Sequence, residues 1–307
     1  MDLQINCPAK VNLFLYVQPP VEGFHPICSF MHTIGWYDSL HIRRAERFSF
    51  HVSGMAVPAG SDNLVVRAVA CFARHFLDGR LPRLRVSLHK RIPHAAGLGG
   101  GSADAAMMAR FLAAWHGCSL HREFMQDFVR SCGCDTAFFF SSGSALVSGR
   151  GEDVRPLPFS LSLPVLVIKP TQGLATSGVY HKWDEDNPLP AARSNRPCSL
   201  PPALGRDVSA AELGAVMHND LQQAAFSLCP DLARIATAVP EPFSRRLMLS
   251  GSGSALYVVL EPDERAAVPS IIAHLPGGLV EKSILTKFIA IGTDQFTSFL
   301  QRGKQTT

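Results

Sequence analysis

The sequence predicts an α+β protein of two domains, on three observations. The chain has 307 residues, more than one hydrophobic core commonly serves. Hydrophobic residues make up 47% and charged residues 18%, the balance of an ordinary globular protein. Runs of strand period give way to runs of helical period, and this succession occurs twice instead of alternating strand by strand. The division falls near residue 160, giving an N-terminal domain over 1–159, a C-terminal domain over 160–302 and a frayed tail over 303–307.

Taken in order, strand patterns cover about 3–8, 10–17, 28–36, 38–43, 47–53 and 83–89. In the last of these Leu84, Val86 and Leu88 alternate with Arg85 and Ser87, the period of a half-buried strand. Helical patterns follow at about 62–77, 102–116 and 121–131, the second closed by Gly117 and the third carrying Phe124 and Phe128 one turn apart. Strands come next at 144–148 and 164–169. From Tyr180 to Asp207 the chain is rich in Pro, Asn, Ser and charge, which reads as a long surface connection. Helices are expected at 208–217, 219–227 and 230–238, the last two separated by Pro230. Strands at 246–249, 255–260 and 287–292 flank a helix at 263–273.

Composition removes whole classes of function. The formal charge of +4 is spread along the chain, and Arg43-Arg44 and Arg245-Arg246 are too short to make a nucleic-acid surface. No apolar run is long enough to span a membrane. Met1-Asp2-Leu3-Gln4 lacks the basic start and apolar core of a signal peptide, so a cytosolic protein is expected. In a reducing compartment the 8 cysteines are expected as free thiols, and Cys132-Gly133-Cys134 is too tight for the usual zinc spacing. The 12 histidines form no HExxH or HxH cluster, and no metal site is assigned.

The chemistry concentrates in Pro93 to Ala106. Gly97, Gly99, Gly100 and Gly101 stand between a strand and a helix N-terminus. Glycine permits positive φ and close approach, so backbone N–H groups and the helix dipole can face an anion. Ser102 adds a hydroxyl within reach of a phosphate or its metal. A tightly turned loop with a serine cap is the plain alternative. A Walker A loop is excluded by the missing lysine, since Gly101 runs straight into Ser102. A dinucleotide fingerprint lacks its third glycine, and a second helical stretch follows where it needs a strand.

Three further places carry polar groups worth chemistry. In the run Ala9 to Val17 the odd positions are apolar, so Lys10 and Asn12 share the opposite face, where a lysine can hold an oxyanion or activate a hydroxyl. An exposed lysine on an edge strand is the competing reading. Ser250-Gly251-Ser252-Gly253-Ser254 is longer than a tight hairpin turn requires, which suits a second backbone surface against a ligand or a plain mobile loop. Asp135, among Gly133, Cys134 and the Phe138–Phe140 run, is either a helix cap or a general base facing a cation such as Lys10.

Together these residues resemble a known family. Pro8 to Leu15, Pro93 to Ala106 and Leu249 to Tyr257 are similar, in order and spacing, to the three motifs of the GHMP small-molecule kinases. Gly23-Phe24-His25, Asp62 to Arg67, Lys90 to Pro93 and His218-Asn219-Asp220-Leu221 resemble the branch that phosphorylates 4-diphosphocytidyl-2-C-methyl-D-erythritol. The resemblance spans residues 6–292. It implies a two-domain GHMP kinase fold, the N-terminal half like ribosomal protein S5 domain 2 and the C-terminal half a ferredoxin-like α/β sandwich. It further implies ATP and Mg²⁺, and a small-molecule substrate, cytidine diphosphate-linked methylerythritol, phosphorylated on its 2-hydroxyl on the non-mevalonate route to isoprenoid precursors.

Carried over position by position, the resemblance makes Asp135 the base and Lys10 the residue that orients the hydroxyl. Pro93-His94-Ala95-Ala96-Gly97-Leu98-Gly99-Gly100-Gly101-Ser102-Ala103 would hold the ATP phosphates, with Asn63, Leu64 and Lys90 near adenine. His25 would meet the cytosine edge, Phe24 and Tyr180 would sandwich the base, and Asn12 would contact the erythritol part. The chain departs from the family pattern at His94, at Met31, where an aromatic is common, and in the Pro- and Arg-rich segment 183–206. Homoserine or mevalonate kinases are the alternatives within the family, against which Phe24, His25 and Tyr180 speak. A silent ligand sensor is the alternative outside it, against which the pairing of Lys10 with Asp135 speaks. Oligomeric state stays open.

Overall fold

The computed structural model describes residues 2–188, 198–201, 204, 205 and 207–292. A seven-stranded sheet is built from β1 (Asp2–Val17), β2 (Ile27–Arg44), β3 (Ser49–Gly54), β4 (Leu84–Lys90), β5 (Ser144–Gly149), β6 (Asp153–Pro156) and β8 (His218–Asn219). Its main path runs β3-β4-β2-β1-β8, with β5 on β2 and β6 on β5. The long β2 gives its first part, Ile27–His32, to β5 and its last part, Ser39–Arg44, to β4. A second sheet runs β11-β7-β10-β9, from β7 (Pro164–Pro170), β9 (Leu247–Leu249), β10 (Leu256–Val259) and β11 (Val280–Lys287).

Three hydrophobic cores follow from this layering. The first lies between the large sheet and the helices α1 (Leu64–Phe76), α2 (Gly100–His116) and α3 (Arg122–Cys132). The second fills the space between the sheets, where Val11, Leu13 and Phe14 meet Val165, Val167 and Tyr257. The third packs the smaller sheet on α4 (Thr176–Asp186), α5 (Gln222–Leu228), α6 (Pro230–Ala238) and α7 (Val268–His274). Every residue of β7 is buried, and its side chains alternate between the last two cores. β1 is likewise covered on both faces, so Lys10 is buried and is no edge-strand lysine.

Several expected elements shift. The strands at 3–8 and 10–17 are one strand with a register shift at Pro8/Ala9, and those at 28–36 and 38–43 are also one. The expected connection from Tyr180 opens as helix α4, held by only two buried residues, Val179 and Trp183, one turn apart. Residues 189–197 and 303–307 of the expected linker and tail lie outside the described residues. The strand expected at 287–292 is instead β11 at Val280–Lys287, a half-exposed edge whose sequence is too polar to announce it. The apolar stretch after it packs on the large sheet, with Phe288 bridged to Ile34 and 4.9 Å from the His32 ring. Cys28 and Cys198 form a disulfide across 170 residues, correcting the expectation of free thiols throughout. No spacing rule reaches so far along a chain. Among the described residues no helix is long and apolar enough to cross a membrane.

His32 pins the connection leading into the smaller sheet. Its Nε2 accepts the Leu161 N–H at 2.9 Å, and its Nδ1 lies 2.9 Å from the Thr33 carbonyl, so the neutral ring with Nδ1–H satisfies both. Burial pushes its pKa from 6.5 to about 4, against the Thr33 carbonyl. The folded chain thus binds fewer protons than the unfolded chain between these values, and stability rises with pH across that window. Acidification from pH 6.5 to 4 should remove about 3 kcal/mol through this one ring. His32→Gln, followed by urea midpoints against pH, should be less stable at neutral pH and flatter over that range. An equally steep decline in the variant would assign the loss to other groups.

Candidate active site

The glycine-rich loop is forced into place by its neighbours. Gly97 and Gly99 have φ of 73° and 68°, and a Cβ on Gly97 would sit 1.9 Å from the Ser250 carbonyl oxygen. A Cβ on Gly99 would meet the Lys10 side chain at 2.9 Å. Gly99 caps α2 with no side chain, and the Ala103 N–H closes the first turn on the Gly99 carbonyl at 2.9 Å. The preceding N–H groups, those of Gly100, Gly101 and Ser102, therefore emerge from the helix end without intrahelical partners. Such an end attracts an anion.

A buried ion cluster sets the loop's two ends. The Lys90 ammonium lies between Asp38 and Asp104, 2.8 Å from the latter. Asp38 also accepts the N–H groups of Arg91 at 2.6 Å and Ile92 at 2.9 Å, where the chain leaves β4 for the loop. Asp104 stands in the first turns of α2, where the loop ends. Burial raises the Asp104 carboxyl to about 8, with Lys90 opposing it and Asp38 adding to it. Burial works against the Lys90 charge, and the two carboxylates more than offset it. The ammonium expected near adenine is thus committed to holding the loop.

Across the loop, the segment 250–254 closes from the other sheet. Ser250 Oγ donates to the Gly97 carbonyl at 2.8 Å, and the Ala255 N–H donates to the Ala96 carbonyl at 3.0 Å. Asn219 donates to the carbonyls of Leu249 and Gly251, both at 2.8 Å. Asp220 accepts the Val17 N–H at 2.7 Å, so the His218–Leu221 motif staples this segment to the end of β1. That motif is visible in the sequence, but its staple role is not.

Two cavities of about 720 and 360 Å³ flank the loop and share Ala95, Gly97, Gly99 and Ser102. The larger is lined by Lys10, Asn12, Phe24, His25, Asp135 and Tyr180. Asn63, Leu64, Lys90, Pro93 and His94 line the smaller, with Ala96, Leu98, Gly100 and Gly101. Ala103 lines neither and is buried in the core.

At the loop, the Lys10 ammonium donates to Asn12 Oδ1 at 2.7 Å and lies 3.5 Å from Asp135 Oδ2. Lys10 is 4% exposed and Asp135 40%, so a fixed cation faces an accessible carboxylate. Asn12 is itself held by Ser29 at 2.8 Å. Asp135 lies in the first turn of a 3₁₀ segment, Cys134–Phe140, capped by Gly133 with no side-chain hydrogen bond, so the cap reading of Asp135 does not hold. Among the described residues it is the one carboxylate on the larger cavity wall.

The far end is aromatic. Tyr180 stacks on His25 at 5.9 Å, and Trp183 meets that ring edge-on at 5.5 Å. Both His25 nitrogens are engaged, Nε2 with Asp184 at 3.0 Å and Nδ1 near the Gln18 carbonyl at 3.3 Å. Burial, with the Asp135 charge adding to it, pushes the Tyr180 phenol well above its usual range. Phe24 carries the Arg150 guanidinium on one face. Away from the cleft, Cys71, His75 and Asp127 bring possible metal ligands within 4.8 Å, a grouping that the sequence spacing hides. The Asp127 carboxylate there is bonded to Arg74 at 2.9 Å and His75 at 3.1 Å, which joins α1 to α3.

Residues 63–143 match the family GHMP kinases N terminal domain. The chain is 35% identical over 272 residues to a 4-diphosphocytidyl-2-C-methyl-D-erythritol kinase of Caulobacter vibrioides, covering 87% of this chain and 92% of the relative. A crystal structure of 4-(cytidine 5'-diphospho)-2C-methyl-D-erythritol kinase superposes with a TM-score of 0.68 at 27% identity, over 94% of this chain and all of that one. A homoserine kinase from Cytophaga hutchinsonii superposes with a TM-score of 0.62 at 14% identity, over 94% of this chain and 95% of the other, a likeness of fold.

Proposed function

Because the chain belongs to the 4-diphosphocytidyl-2-C-methyl-D-erythritol kinase family of GHMP kinases, we propose that it transfers the γ-phosphoryl group of ATP to the 2-hydroxyl of that cytidylyl alcohol. The observation that carries this reading is the pairing of Lys10 with Asp135 where the two cavities meet at the glycine-rich loop. The smaller cavity takes the adenosine end of ATP, against Asn63 and Leu64. Its phosphates follow the N–H groups of α2 toward the larger cavity, which takes the alcohol.

Asp135 accepts the proton of the 2-hydroxyl as the oxygen attacks the γ-phosphorus. Lys10, held by Asn12 and facing Asp135, orients the hydroxyl. The leaving ADP stays on the loop amides, whose dipoles meet the charge gathering on the phosphates. Magnesium would find oxygen donors here, chiefly the Ser102 hydroxyl and the phosphates, and bound there it supplies charge neutralisation. At the aromatic end, Phe24, His25 and Tyr180 receive the cytosine. For the ring of His25 to meet the base edge, its bond to Asp184 must be shared or exchanged.

ADP release with Mg-ATP tests the reading against four alcohols: the cytidylyl compound, the same alcohol without its cytidylyl group, homoserine and mevalonate. Turnover confined to the cytidylyl compound is expected. Turnover of another alcohol instead would remove the cytosine assignment and keep the kinase chemistry.

A further inference from the structure

Arg150 carries no signal in the sequence, yet it stands on the wall of the larger cavity. It occupies the turn between β5 and β6, between Gly149 at φ 68° and Gly151 at φ 114°. Its N–H donates to the Glu152 carboxylate at 2.7 Å, which fixes the turn through the backbone and leaves the side chain to reach inward. The guanidinium carbon lies 3.6 Å from the centroid of the Phe24 ring. Its charge is felt at Cys134, the residue before Asp135.

The other cation of this wall, Lys10, already faces Asp135, and the His25 ring is bonded to Asp184. Among the described residues no carboxylate lies within ion-pair distance of the Arg150 guanidinium, which sits over the Phe24 ring. A cytidylyl alcohol brings two phosphodiester-like negative charges into this cavity, and neither Lys10 nor the loop amides are spare to meet them.

We propose that Arg150 binds the diphosphate of the second substrate and is a specificity-determining residue, an inference that rests on the functional reading above. Stacking on Phe24 holds the guanidinium plane while leaving its N–H edge open, the fork that takes two phosphate oxygens at once. One side chain then serves two subsites: its guanidinium plane braces the Phe24 ring, and its N–H edge reads the diphosphate. The enzyme thereby distinguishes a diphosphate-bearing alcohol from a bare one.

The test compares Arg150→Gln and Arg150→Lys with the wild type. Arg150→Gln should raise KM for the cytidylyl substrate about tenfold, the loss of one charge-assisted contact, with the KM for ATP held. Its kcat/KM should also fall less steeply with added salt, and Arg150→Lys should recover part of both. Calorimetry with cytidine 5'-diphosphate and with cytidine supplies a readout without turnover. The wild type should prefer the diphosphate, and Arg150→Gln should lose that preference. A raised KM with unchanged salt dependence would make Arg150 a brace for Phe24 and overturn the proposal. An unchanged KM, or an unchanged preference for the diphosphate, would overturn it as well. Wild-type failure to phosphorylate the cytidylyl alcohol, with the diphosphate preference intact, would instead strike the functional reading.

Discussion

Asp135→Asn is expected to lower kcat by about 10²–10⁴-fold, the range a positioned general base supplies, while both substrates still bind. The substitution keeps the shape of the side chain and removes only its charge and basicity. No second carboxylate on the larger cavity wall, among the described residues, stands ready to replace it. Lys10 stays in place in the variant, because its bond to Asn12 at 2.7 Å does not depend on Asp135. Binding can be followed by calorimetry with each substrate and turnover by ADP release in single-turnover mixing. If the variant turned over within tenfold of wild type, positioning on the loop would account for the rate and the base role would fall.

Gly97→Ala should cost almost as much by another route. A methyl at this position would lie 1.9 Å from the Ser250 carbonyl oxygen, on a backbone whose φ of 73° alanine resists. Neither neighbour can yield alone, because the Ser250 hydroxyl is itself bonded to the Gly97 carbonyl. The loop must part from the 250–254 segment, carrying the amides proposed to face the ATP phosphates out of line. An ångström of displacement is worth about 10²-fold in rate, so kcat/KM for ATP should fall at least that far. Gly101→Ala is the control: its nearest obstacle is the flexible end of Leu64 at 3.3 Å, and a mild effect is expected. Near-normal ATP kinetics in Gly97→Ala would show that the contact between the two segments is dispensable.

How much of this was legible beforehand depends on how far along the chain each cause lies. β1 could be read because Lys10 and Asn12 alternate with apolar residues, and the loop because its glycines sit between a strand and a helix. Both are local signals. The burial of Lys10 needed the second sheet, whose packing against β1 no alternation announces. Lys90 lines the smaller cavity, yet its charge is met by Asp38, 52 residues away, a pairing no local pattern shows. β11 was hidden because an edge strand has little apolar surface to show, while Phe288 and Ile291 were apolar for the sake of a different sheet. Arg150 needed Phe24 beneath it, a contact made only by the folded chain.

The interlock between the glycine-rich loop and Ser250 also bears on how the chain comes into being. A ribosome completes Pro93 to Ala106 long before it reaches Ser250, Ala255 and the Asn219 that steadies them. Until then the loop has its glycines but not the wall that shapes them. On the proposed function, nucleotide capture is expected late in biosynthesis, once the two sheets have met. ATP bound there would then act as an inspector of finished molecules, drawing the fully assembled form away from partly folded ones.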